Sequence, residues 1–190
     1  MHMKWLSDIA QRARKLFGLP TSEAGSSDGN APDVLMSGVH IDNSMSTSTL
    51  MMHCIRSLQC NILNQDDDIV YFLYQGEQFA ATPDNDSHTL TVWDMSWYRV
   101  PLDDMVKYAD VRRAINLTNM NMLVKVFYLE HVKENKLDVN SMMTVLFVPQ
   151  IPYPDFYLRN LLCNFFKAQH YFMRKLNEQV VTTPCADRAE

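Results

Sequence analysis

Apolar positions recur along this chain with two different periods, and each change of period marks an element. Ile69–Tyr74 is an unbroken run of β-branched, aromatic and aliphatic residues that follows three aspartates and stops at Gln75-Gly76. A second short run, Gln78–Thr82, begins at once and ends at Pro83-Asp84-Asn85-Asp86. This reads as a β-hairpin, with Gly76 free to take the positive φ of a tight turn. A strand apolar at every position has both faces covered, which predicts a place for it near the middle of a sheet. Thr89–Trp97 alternates as a third strand, with Leu90, Val92 and Asp94 on one side and Thr91, Trp93, Met95 and Trp97 on the other.

The period changes to that of a helix three times. Leu50, Met51, Cys54, Ile55, Leu58 and Ile62 predict a helix over 47–63 capped by Ser46 or Thr47. Pro101-Leu102-Asp103-Asp104 opens a second over 103–119, with Asp103 as cap and Met105, Tyr108, Ala109, Arg112 and Ile115 inward. The third, over 155–178, has the cleanest stripe: Leu158, Leu161, Leu162, Phe165, Phe172, Met173 and Leu176, broken only by Gln169. Between the last two helices, Met122–Leu129 and Met142–Val148 predict two strands joined through the polar stretch 130–141. The expected order is α-β-β-β-α-β-β-α, an α+β layer of three helices on an antiparallel five-stranded sheet.

The ends follow other patterns. Trp5, Leu6, Ile9, Ala13, Leu16 and Phe17 recur at helical spacing among Lys4, Arg12, Arg14 and Lys15, a basic amphipathic helix over 1–19. It suits a membrane surface or a partner groove, and equally its own domain or a second copy of the chain. Residues 20–45 read as a flexible linker reaching roughly 25–30 Å, interrupted by a brief edge strand within Val34–Ile41. The folded domain is expected over 46–179, and 180–190 reads as a frayed tail.

Ile69–Tyr74, Gly76, Phe79, the Asp84/Asp86 loop, the helix end Ala114-Ile115-Asn116-Leu117-Thr118-Asn119 and the final amphipathic helix together resemble the YbjN family, over Ser46 to Gln179. That resemblance implies a fold similar to the small type III secretion chaperones and a bacterial, regulatory role without a defined chemistry. It also matches Asn116 and Asn119 to the family's helix end, as structural caps.

Composition narrows the function. Of 190 residues 47% are hydrophobic and 21% charged, enough for a sizeable core. The net charge of -5 comes without a basic stripe in the main body, which argues against a nucleic-acid partner. Cys54, Cys60, Cys163 and Cys185 form no C-x-x-C pair, which predicts a reducing compartment, and with no apolar run of about 20 residues the chain is expected to be cytoplasmic.

Candidate chemistry adds little. Asp66–Asp68 and Asp84–His88 invite cation sites, but they lack the six or more oxygens or the distal glutamate that Ca²⁺ binding needs, and they read as turns. Glu130, His131 and Glu134 fall at the end of a strand, not on a helix as a zinc motif requires, and no phosphate-binding glycine loop occurs. The expectation is therefore no catalytic residue, no metal and no cofactor. What needs an explanation is the apolar surplus on both sheet faces. Trp93, Met95 and Trp97 are the candidate partner-binding residues, in a chain whose 13 methionines suit an adaptable surface. Two functions follow: a non-enzymatic, chaperone-like or regulatory protein-binding module that also forms a homodimer, or a small-molecule sensor or enzyme with its site between sheet and helices.

Overall fold

Local chemistry sets the first element and ends it early. The computed structural model describes residues 42–66 and 69–180. The predicted helix over 1–19, most of the linker, the Val34–Ile41 strand, Asp67, Asp68, Cys185 and the tail from 181 lie outside those residues. Helix α1 runs Thr47–Ser57, with the Ser46 hydroxyl accepting the Thr49 N–H at 3.2 Å. It does not continue to 63 as the periodicity predicts. Gln59 turns left-handed at φ 55°, its N–H meets the Arg56 carbonyl, and the Cys60 N–H meets the Ile55 carbonyl. This paired C-terminal closure usually has glycine at the left-handed position. Here glutamine takes it, and the helix stops without a sequence signal.

The residues so released form a sixth strand. β1 (Asn61–Gln65) pairs with β2 (Val70–Tyr74), and β2 pairs with β3 (Glu77–Asp84) through a two-residue turn in which Gln75 and Gly76 both have positive φ. That turn is the type whose twist matches a hairpin. β4 (Thr89–Pro101), β5 (Lys125–His131) and β6 (Lys136–Leu146) complete an antiparallel sheet in the order β1-β2-β3-β4-β6-β5. The sheet thus has six strands instead of the expected five, and β1 is what places β2 in its interior. The connection expected over 130–141 is shorter than predicted. A 3-10 turn, Val132–Glu134, and a left-handed Asn135 make the link, and β6 begins at Lys136.

Helices α2 (Met105–Asn121) and α3 (Pro154–Val180) join α1 on one face of this sheet. Asp104, not Asp103, caps α2 by accepting the Lys107 N–H at 3.0 Å. Its inner face is Val111, Ala114, Ile115 and Thr118, rotated from the prediction, and Met105, Ala109 and Arg112 are exposed. Few apolar residues mark α2, so packing against α3 and the sheet decides the rotation. α3 keeps its predicted stripe, with Ala168 added and Met173 exposed. Among the described residues no helix is long and apolar enough to cross a membrane.

Asn119 has a different task from the expected cap. Its side-chain amide accepts the Val126 N–H at 2.8 Å and donates to the Val126 carbonyl at 2.9 Å. One amide thereby occupies both outward backbone groups of Val126 and blocks part of the β5 edge, a protection that open sheet edges need. Asn116 is exposed.

Candidate functional site

The second sheet face is where the apolar surplus lies, and strand register assigns its members. Tyr71 pairs with Ala80, Ala80 with Trp93, and Trp93 with Met142, so these four side chains stand in a row across β2, β3, β4 and β6. None belongs to the core cluster that the helices cover. Leu73, Phe127 and Leu129 share their face by the same pairing, and Phe127 meets the Trp93 ring edge-on at 6.4 Å. The row is nevertheless buried as far as Trp93: Tyr71 is 2% exposed and Trp93 3%. Met142, at the end of the row, is half-buried, as are Leu73, Met95, Phe127 and Leu129, which form a ring about the row.

Trp97, expected beside Trp93 and Met95, lies on the other face. Between Asp94 and Tyr98 three residues of β4 lie opposite one residue of β6, Asn140, and Ser96 turns left-handed at φ 57°. The Asn140 side-chain oxygen accepts the Ser96 N–H at 2.9 Å and holds this bulge. Within it, the Trp97 ring meets Phe172 of α3 edge-on at 5.0 Å, and its indole N–H donates to Ser141 Oγ at 2.6 Å. Tyr98 and Val100 face the helix-covered core as Leu90 and Val92 do, so alternation resumes in phase after the bulge and fails only within it, at Trp97. The structure thus places Trp93 outside the helix-covered core, puts Met95 in the surrounding ring, and separates Trp97 from both.

Polar residues that sequence reasoning assigned to a loop prove central. Asp138, Asn140 and Ser141 are buried in β6. Asp138 accepts from Arg99 Nε at 2.5 Å and faces His131 Nε2 at 3.3 Å. Leu137 and Val139, alternating with Asp138 and Asn140, were the available signal for a strand.

A second polar group lies under α3. Asp94 is 1% exposed and accepts a 2.6 Å hydrogen bond from Gln169 Nε2. Each was the one polar residue on an otherwise apolar side of its element, and each answers the other. Burial first, then the nearby Glu77 carboxylate, push the Asp94 carboxyl well above its ordinary range, against the opposing effect of the Gln169 bond. The same physics acts on two thiols: burial pushes Cys54 up to about 12 and Cys60 up to about 11. The Asp84 loop is an Asx turn, its carboxylate accepting the Asp86 and Ser87 N–H groups at 2.9 and 3.1 Å. Hydrogen bonds from Ser87 hold that carboxyl below its usual range.

An antiparallel six-stranded sheet with three helices on one face defines an α+β protein of the two-layer class. No family model matches the chain, and no curated protein matches it. Among solved structures it is similar to an uncharacterized protein from Methanothermobacter thermautotrophicus, with a TM-score of 0.49 and 11% identity over 70% of this chain and 98% of that one. It is also similar to YbjN from E. coli, with a TM-score of 0.43 and 11% identity over 70% of this chain and 91% of that one. Similarity this distant carries no activity across.

Proposed function

We propose that this chain is a non-enzymatic, cytoplasmic protein-binding module of the chaperone-like or regulatory kind, and that its second sheet face receives polypeptide. The observation that supports this is the row Tyr71, Ala80, Trp93 and Met142. Its two large aromatics are already kept from water within one chain, so what this face offers a partner is the half-buried apolar surface around them. A face with such side chains at its centre is built to be covered, since folded chains seldom leave large apolar patches open.

The partner to which we commit is a second copy. A two-fold contact sets each residue near its own symmetry mate, so a charged centre would repel itself. The four central residues carry no charge, the charged groups of this face (Lys125 beside Met142, and Asp138 with Arg99 and His131) lie to one side of them, and the half-buried ring leaves apolar surface for the mate to close. Light scattering is expected to give about twice the chain mass. Met95→Lys, at the ring, should shift the mass toward one chain while leaving the circular dichroism unchanged. One chain mass for the wild type at high concentration would mean that the chain covers its own sheet.

A small-molecule or catalytic site between sheet and helices is the competing reading, and Asp94 is the observation in its favour, because perturbed acids cluster at functional sites. Its closure from solvent and its bond to Gln169 support a structural role instead.

A further inference from the structure

We propose that Asp94 and Gln169 form a pH-sensitive latch that holds α3 on the sheet. Asp94 sits on β4 at the last regular pair before the bulge, opposite Ser141, and reaches Gln169 in the middle of the 27-residue α3. Phe165, four residues earlier on α3, packs edge-on to Phe79, and Phe79 is the β3 partner of Asp94. Phe172, three residues after Gln169, meets Trp97 and Tyr98 beyond the bulge. The polar pair therefore lies between two aromatic contacts, at the point where α3 crosses from the regular part of β4 to the irregular part.

The titratable groups of this seam all oppose ionisation of Asp94 or leave it unaided. Glu77 of β3 faces it and raises its proton affinity, and the Glu77 carboxyl is itself pushed up by burial. Tyr98 of β4 has its hydroxyl pushed up by burial, with Lys107 of α2 acting on Tyr98 in the lowering direction. His170, next to Gln169 on α3, is exposed. Among the described residues, the groups acting on Asp94 are Glu77 and Gln169, and neither is a cation. While neutral, the carboxyl fits an apolar layer as a hydrogen-bonding group. Once ionised, it becomes a buried charge beside a second carboxylate with one amide to stabilise it, which is strongly unfavourable.

The sign of the pH dependence follows. Asp94 holds its proton in the folded chain to higher pH than the roughly 3.9 of an unfolded aspartate. Its stabilising contribution is therefore complete below that value and is lost as pH rises through the folded pKa. Glu77 acts in the same direction. Loss of the proton frees α3 to lift from the sheet, so the latch opens on the alkaline side.

The test compares the full-length wild type with Asp94→Asn, which keeps an acceptor for Gln169 and cannot ionise. Urea midpoints are measured from pH 4 to pH 9, together with amide exchange along α3. The midpoint of Asp94→Asn is expected to gain on that of the wild type steadily as pH rises. Excess α3 exchange at high pH should appear in the wild type alone. A constant midpoint difference across the range would overturn the latch. If Asp94→Asn does not fold, the Asp94 carboxyl carbon is titrated by NMR in the wild type and in Glu77→Gln. Protonation persisting well above pH 4, and to a lower pH in Glu77→Gln, is expected; titration near pH 4 in both would overturn the proposal.

Discussion

Phe165→Ala is expected to lower folding stability by about 3–5 kcal/mol, the range for removing a fully buried phenylalanine ring. Phe165 has no exposed surface, and its ring lies edge-on to Phe79 with centroids 5.4 Å apart. The substitution leaves a cavity between α3 and β3 at the centre of the helix-covered layer. The surrounding rings are fixed by other contacts, Phe79 by Phe72 at 5.8 Å among them, so the layer can collapse into the space only partly. Chemical denaturation monitored by far-ultraviolet circular dichroism gives the value. A loss below about 1 kcal/mol, the size of an ordinary surface change, would show that α3 does not form the core.

Trp93→Ala should cost about as much, roughly 3–5 kcal/mol, although Trp93 lies outside the helix-covered core. The reason is its 3% exposure between Ala80 and Met142, with Phe127 at its edge. If the second face stood open, most of the indole would already be in water and its removal would cost less than about 1 kcal/mol. The experiment thus distinguishes a covered face from an open one. It also shows why Trp93 is unsuited to testing association: its substitution reports stability first. Met95, in the half-buried ring, separates the two effects.

What the chain disclosed beforehand depended on whether a signal was written in residue types or in backbone geometry. The α3 stripe was readable because Leu158, Leu161, Leu162, Phe165, Phe172 and Leu176 repeat at the helical period for about five turns. The β2–β3 hairpin was readable because Gly76 marks its turn. The sixth strand was not, because the stop of α1 rests on Gln59 in a conformation that glutamine does not advertise. The start of β6 was hidden by Asp138, Asn140 and Ser141, polar residues that look like a loop and are buried by tertiary pairing.

The candidate site was legible in part. Alternation placed Asp94 with Leu90 and Val92, the side that α3 covers, and set Trp93 apart from it. It failed at Trp97, because the bulge depends on Ser96 turning left-handed and on Asn140 from a strand 44 residues away in sequence. The long-range amide that holds the bulge leaves no local pattern. Asp94 and Gln169 were each visible as an exception on an apolar side, but their being partners is a fact of three-dimensional register.

The central claim is that the second sheet face receives polypeptide, with a second copy as the partner. It is tested most directly by mixing methyl-labelled and unlabelled chains and recording intermolecular nuclear Overhauser effects from the methionine methyls. Contacts are predicted at Met95 and Met142 and none at Met105 and Met120, which are 68% and 73% exposed on α2 and serve as internal controls. Intermolecular contacts confined to Met105 and Met120, or none at any methionine at high concentration, would contradict the account.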